Sequence, residues 1–164
     1  MVYKHAIFMR LGINPNNGLD GLETIQQYES FIARNGAAWF SAGALSAGMS
    51  ERYRCEFQDA IDYHYVLELY FALGKAGGGD GDIAYVAEVI GIETSRTRVP
   101  TPDPGLTPCP WREELRGTWL KIRNLKPADV SADDFTIINT GAPLSDAVKG
   151  GKYHFGYVKR VGVS

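Results

Sequence analysis

Residues 61–73 constrain this chain more than any other stretch, because they alternate along an unusually long run. Tyr63, Tyr65, Leu67, Leu69 and Phe71 share one face, while His64, Val66, Glu68 and Tyr70 share the other. That period of two is the signature of an extended strand with a buried side. The run Gly74-Lys-Ala-Gly-Gly-Gly-Asp-Gly81 follows and reads as the tip of a hairpin, from which residues 83–92 return as the partner strand. Two long neighbouring strands require a sheet to cover them, so a β-sheet core is expected rather than a helical bundle.

Helical and turn signals frame this pair. Residues 3–11 read as a strand with His5, Ile7 and Met9 on one face and Ala6, Phe8 and Arg10 on the other. Asn14-Pro-Asn-Asn-Gly18 is turn chemistry, and Asp20 is a helix cap. The helix is predicted over residues 22–34, with Leu22, Ile25, Tyr28, Phe31 and Ile32 as its apolar stripe and Asn35-Gly36 as its terminator. A strand over residues 37–41 and a glycine- and serine-rich stretch to about Ser50 come next. Five of the eight prolines fall at positions 100, 102, 104, 108 and 110, which predicts a long stiffened loop over about residues 94–117. Beyond it we expect a strand over residues 119–124 and a short helix opened by the capping box Ser131-Ala-Asp-Asp134. Residues 140–145 should be loop, and residues 152–161 a last strand.

Composition limits the function classes. The 164 residues suit one domain, and a hydrophobic share of 45% is ordinary for a folded protein. A net charge of -2 argues against a broad phosphate-neutralising footprint and leaves room for a local patch or a pocket that reads one base. Cys55 and Cys109 are far apart and form no CxxC pair, so neither a zinc cluster nor an oxidising compartment is indicated. No leader-like or membrane-length apolar run is visible, and the cytoplasm is the expected location.

Motifs for chemistry are sparse. His5, His64 and His154 sit in no HxH or HExxH pattern, so no metal or other cofactor is expected. The glycine-rich run of residues 74–81 lacks the GK[ST] ending and a following helix, which points to a flexible hairpin tip rather than a phosphate-binding P-loop. Ser41, Ser46 and Ser50 lie in no GxSxG elbow. Glu113-Glu114 and Asp133-Asp134 stand where acidic residues act as caps or solvated charge.

The tryptophans are the more informative residues. Trp39 lies in Gly36-Ala-Ala-Trp-Phe-Ser-Ala-Gly43, and Trp111-Arg-Glu-Glu-Leu-Arg-Gly-Thr-Trp119 holds the other two. Indoles set among glycine, alanine and proline suggest rigid faces for stacking on flat ligands such as nucleobases or methylated cations. The competing reading makes all three core residues.

From Trp39 onward the chain resembles the YTH and EVE branch of the PUA-like barrels, which read modified nucleobases. Ala38-Trp-Phe-Ser41 resembles the first cage tryptophan with its nearby serine. Asp82-Ile-Ala-Tyr-Val-Ala-Glu-Val-Ile-Gly91 resembles the strand carrying V-A-E-M, and Trp111 precedes Trp119-Leu-Lys-Ile-Arg-Asn-Leu125 at the family's spacing. Phe135-Thr-Ile-Ile-Asn-Thr-Gly-Ala-Pro-Leu-Ser145 resembles its L-E-N-N-x-x-K-P-V-T-N-S segment.

This resemblance implies an α+β fold, a PUA-like mixed β-barrel flanked by helices, as a single domain over residues 1–164. It also implies an aromatic cage of Trp39 and Trp111, with Leu106 at the third wall and Trp119 in the core. Ser41, Asn14, Asn17 and Arg10 fall where the base edge or backbone is contacted, and Lys149 stands in for an arginine that binds phosphate. The expected function is recognition without turnover, a flipped methylated base in DNA, with RNA as an alternative. N6-methyladenine and 5-methylcytosine are both compatible. Such a domain would target a modification-dependent restriction system, with fused or associated nuclease or NTPase subunits and no membrane partner. Two other readings stay open: a small RNA-acting PUA-like enzyme using Lys121 or His64, and a protein-interaction module whose cage takes a methylated side chain.

Overall fold

A computed structural model of the chain describes residues 1–42, 48–150 and 153–161. Its elements run β1 (His5–Leu11), α1 (Gly21–Asn35), β2 (Ala38–Ser41), α2 (Glu51–Asp62), β3 (Leu67–Leu73), β4 (Ile83–Val99), β5 (Arg116–Pro127), β6 (Phe135–Ile137), α3 (Leu144–Lys149) and β7 (Phe155–Arg160). The protein is therefore a mixed α+β fold. Among the described residues seven strands form a sheet in the order β2-β5-β4-β3-β1-β7-β6, with β2 and β6 at its edges and no pairing between them that would close it into a barrel. β1 runs parallel to β3, pairing Ile7 with Leu69 and Met9 with Phe71, and antiparallel to β7.

Several elements depart from the sequence pattern. The alternation over residues 61–66 is not strand: Ile61 and Asp62 close α2, and β3 begins only at Leu67. The helical period wins upstream because Tyr53, Phe57 and Ala60 recur on one buried face. His64 then turns the chain with φ 65, a left-handed conformation that histidine adopts more readily than most residues. β4 continues to Val99, well into the stretch expected as loop, since the prolines begin only at position 100. α3 occupies the end of the expected loop over residues 140–145, and β6 forms from a stretch without a clear strand signal. Residues 43–47 of the glycine- and serine-rich stretch, and Lys152 at the expected start of the last strand, lie outside the described residues.

The capping signals did their expected work. Asp20 Oδ1 accepts from the Glu23 amide at 2.8 Å, and Glu23 Oε1 accepts from the Asp20 amide at 3.1 Å. Gly36, at φ 86, ends α1. Ser131 and Asp134 form the anticipated reciprocal capping box, here opening a single 3-10 turn.

Contacts divide the chain into two compact units. The first comprises Met1–Tyr3, Gln27–Leu67 and Ala87–Leu125. Its core is aromatic: the buried Tyr28 ring lies 5.0 Å from Phe40 and 4.7 Å from Trp111. The Tyr28 hydroxyl donates to the Trp39 carbonyl and accepts from the Ser41 amide, each at 3.2 Å, so it caps the free edge of β2. The second unit comprises Lys4–Gln26, Glu68–Val86 and Lys126–Ser164. Ala6, Phe8, Tyr70, Ala72, Phe135, Leu144 and Val158 form its core. Phe8 and Ala6 share a face of β1, as the alternation predicts.

Candidate functional site

The second unit contains an open cleft of about 770 Å³, a size typical of ligand sites. Three stretches of chain build it. The C-terminal end of β1 supplies Arg10, and the β3–β4 connection supplies Gly74, Lys75, Asp80, Gly81 and Asp82. The capping turn and α3 add Ala132, Asp133, Ser145, Val148 and Lys149.

The glycine-rich connection is a folded support rather than a loose tip. Residues 75–77 make a 3-10 turn, and the Gly81 amide donates to the Leu73 carbonyl at 2.7 Å. The loop packs so closely on β1 that a Cβ at Gly77 would stand 2.3 Å from the Leu11 carbonyl oxygen. At Gly74 a Cβ would stand 2.8 Å from Arg10 Nε and 3.1 Å from Nη2. Glycine at 74 therefore makes the seat on which the Arg10 guanidinium rests.

Asp82 fixes the opposite side. Its Oδ1 accepts from the Ile83 amide at 2.7 Å and from the Ala132 amide at 2.8 Å, tying the hairpin to the capping turn. Asp80 Oδ1 accepts from the Asp82 amide at 3.0 Å. Three cations (Arg10, Lys75, Lys149) and three carboxylates (Asp80, Asp82, Asp133) thus line one cleft. Among the described residues, none of the six forms an ion pair. Opposite charges held apart in a shared concavity leave their hydrogen-bonding capacity for a ligand bearing both anionic and donor groups.

Arg10 and Lys149, which the resemblance assigned to nucleic-acid contact, are therefore brought together. Asn14 and Asn17 are not among the residues lining this cleft. Their side-chain oxygens accept from the Asn16 amide at 2.8 Å and the Leu19 amide at 3.0 Å, so both make local turns. The Asn17 Nδ2 is buried with no hydrogen-bond partner among the described residues.

The expected cage residues belong to the first unit, and there they pack as core. Trp111 is 2% exposed and lies against Tyr28, and Trp39 is 9% exposed. Lys121 Nζ sits 6.0 Å over the Trp39 ring, and Gly91 gives that indole room, since a Cβ there would lie 3.4 Å from its Cη2. A base reaching either indole face would have to displace these neighbours. Leu106 is half-buried in a 3-10 turn of the proline-rich segment. Trp119 is fully buried, as expected, and its Nε1–H donates to the Val99 carbonyl at 3.1 Å.

Ser41, expected at a base contact, is engaged inside the first unit. Its hydroxyl donates to Glu114 Oε2 at 2.6 Å and accepts from Arg116 Nε at 3.0 Å, and Arg116 Nη2 pairs with the same carboxylate oxygen at 2.9 Å. Glu114 is buried, so its structural use is that of an internal partner rather than the cap or solvated charge expected of Glu113-Glu114. The carboxylate is retained inside because a guanidinium and a hydroxyl satisfy it together. Asp134 does cap a turn, whereas its neighbour Asp133 lines the cleft.

The two residues named for a catalytic alternative stand apart from the cleft lining. Lys121 lies over Trp39, and His64 is exposed with Met1, Tyr63 and Tyr65 around a shallow concavity in the first unit. No group of three or more histidine, cysteine or acidic side chains suited to a metal occurs among the described residues. No helix among them is long and apolar enough to cross a membrane. No family model, curated protein or solved structure matches the chain.

Proposed function

We propose that this chain is a nucleic-acid reader of PUA-like descent that receives one extrahelical nucleotide, favoured as a modified nucleotide of DNA, in the Arg10–Lys149 cleft. The observation that carries the reading is the convergence of Arg10, Lys75 and Lys149 in a cleft of about 770 Å³ without ion pairing among the described residues. Arginine offers a bidentate fork to a phosphate, and the two lysines add point charges. A cluster this local accords with a chain whose net charge is -2, because one captured nucleotide needs no long basic track.

Base recognition falls to the rest of the cleft. Ala132 and Val148 supply an apolar wall against which a methyl group can be buried, worth about 0.8 kcal/mol, or roughly fourfold in affinity. The proposal does not use Trp39 and Trp111 as stacking walls, since both indoles pack as core. Its role is recognition, as the targeting part of a modification-dependent restriction system whose nuclease or NTPase resides on other domains or subunits. The proposed setting is cytoplasmic, in keeping with two exposed free cysteines.

The test is fluorescence anisotropy with matched DNA oligonucleotides that are unmodified or carry N6-methyladenine or 5-methylcytosine, and with the same sequences as RNA. Arg10→Ala and Lys149→Ala should each weaken binding at least tenfold in a protein that keeps its circular dichroism. Binding unaltered by both substitutions would remove the cleft from the reading.

A further inference from the structure

We infer that the carboxylates of this cleft select adenine and cytosine, through their exocyclic amines at C6 and C4, over their oxo counterparts hypoxanthine and uracil. The inference rests on the nucleotide reading above and concerns only which base is taken.

The two sides of the cleft offer a ligand opposite hydrogen-bonding groups. Arg10, Lys75 and Lys149 are pure donors, and a phosphate is a pure acceptor. Ionised Asp80, Asp82 and Asp133 are pure acceptors, so they need a ligand group that donates. Within a nucleotide the donors are the sugar hydroxyls, ring N–H groups such as hypoxanthine N1–H and uracil N3–H, and the exocyclic amines, of which those at adenine C6 and cytosine C4 concern this cleft. Hypoxanthine and uracil place an oxygen at those same positions, and a carboxylate facing that oxygen meets lone pair with lone pair.

Asp82 is best fixed for this task. Two backbone amides hold its Oδ1, so the carboxylate cannot swing away, and its Oδ2 has no partner among the described residues. A clamped carboxylate loses little side-chain freedom on binding. N6-methyladenine keeps one N–H on its amine and 5-methylcytosine keeps both, so each still satisfies a single carboxylate oxygen, and its methyl group remains for the Ala132 and Val148 wall. Selection of the base and tolerance of its methylation then come from the same cleft.

The experiment is isothermal titration calorimetry of the full chain with two matched pairs, AMP against IMP and CMP against UMP. We expect the amine-bearing member to bind about 10- to 100-fold more tightly in each pair. Asp82→Asn keeps an oxygen for the two amides but can present an amide N–H to the base. It should shrink or reverse the AMP preference while leaving phosphate-driven binding in place. Asp133→Asn serves as a second variant should Asp82→Asn fail to fold. Equal affinity within each pair, with binding still dependent on Arg10, overturns the selectivity and leaves the reader proposal standing. A preference that survives both aspartate substitutions also overturns it. If none of the four nucleotides binds at millimolar concentration, and oligonucleotides fail as well, the reader proposal itself falls.

Discussion

Substituting Gly74 by alanine separates the arginine seat from the fold more cleanly than deleting Arg10. Gly74 has φ -66 and ψ 168, a backbone conformation open to alanine. Alanine at such a position stabilises by about 0.4–1 kcal/mol, by restricting the unfolded chain. The added Cβ would sit 2.8 Å from Arg10 Nε and 3.3 Å from its Cζ, too close to stay. The obstacle is the far end of a flexible side chain, so the guanidinium moves and the main chain need not. Stability should change by no more than about 1 kcal/mol in either direction. Binding should lose one charge-assisted contact, about 1.5–3 kcal/mol, which is roughly 10- to 150-fold in Kd. Gly77→Ala is the contrasting control, because its Cβ would meet the Leu11 carbonyl oxygen at 2.3 Å and only backbone movement could relieve it. That variant should be destabilised by about 1–3 kcal/mol. Urea denaturation and anisotropy on the same preparations read both quantities. A Gly74→Ala protein that is stably folded and binds within twofold of the wild type would refute a seated Arg10 as a ligand contact.

Three further outcomes follow from the packing. Tyr28→Phe leaves the Ser41 amide and the Trp39 carbonyl without their hydroxyl partner and should cost about 1–3 kcal/mol by denaturant titration, and a cost under about 0.5 kcal/mol would show that β2 does not need this cap. Trp111→Ala should lower stability by about 3–5 kcal/mol, yet the fraction that stays folded should bind oligonucleotides with unchanged Kd, whereas selective loss of methyl-dependent binding would restore the aromatic cage. Burial raises the phenol pKa of Tyr28, burial and then Glu68 raise that of Tyr70, and burial and then Glu56 push Tyr3 up to about 12. The folded state therefore keeps protons that the unfolded chain releases near pH 10, so this stability is whole below pH 10 and drains away as pH climbs through 12. Phenolate absorbance should show a late group among the nine tyrosines, titrating together with unfolding, and a single transition near pH 10 without unfolding would contradict it.

The parts of the fold that were legible in the sequence are those decided within a few residues. Asp20 with Glu23, Gly36 after α1, and Ser131 with Asp134 are each closed loops of local hydrogen bonding, and each formed as read. The alternation of β1 survived because both its faces are covered. What failed was arbitration between periods. Residues 61–66 alternate, but Tyr53, Phe57 and Ala60 set a helical period upstream that carries through Asp62, and His64 can take the turn that ends it. A pattern of two over six residues cannot prevail against three buried contacts on a helix face.

The site was less legible, for a reason visible in single residues. Aromatic side chains advertise both stacking sites and cores, and sequence spacing does not reveal which face is covered. Trp111 has Tyr28 against it, a partner more than eighty positions away along the chain. The partner of Glu114 was hidden in the same way, because Ser41 is 73 positions away along the chain. The glycines of residues 74–81 were visible but read as slack, because a glycine required by close approach looks the same in sequence as one placed for freedom. The distances at Gly74 and Gly77 decide between the two meanings. A glycine-rich turn that packs on the strand supplying Arg10 is a device for holding a cation in place, and the binding loss expected of Gly74→Ala measures how much of the site depends on it.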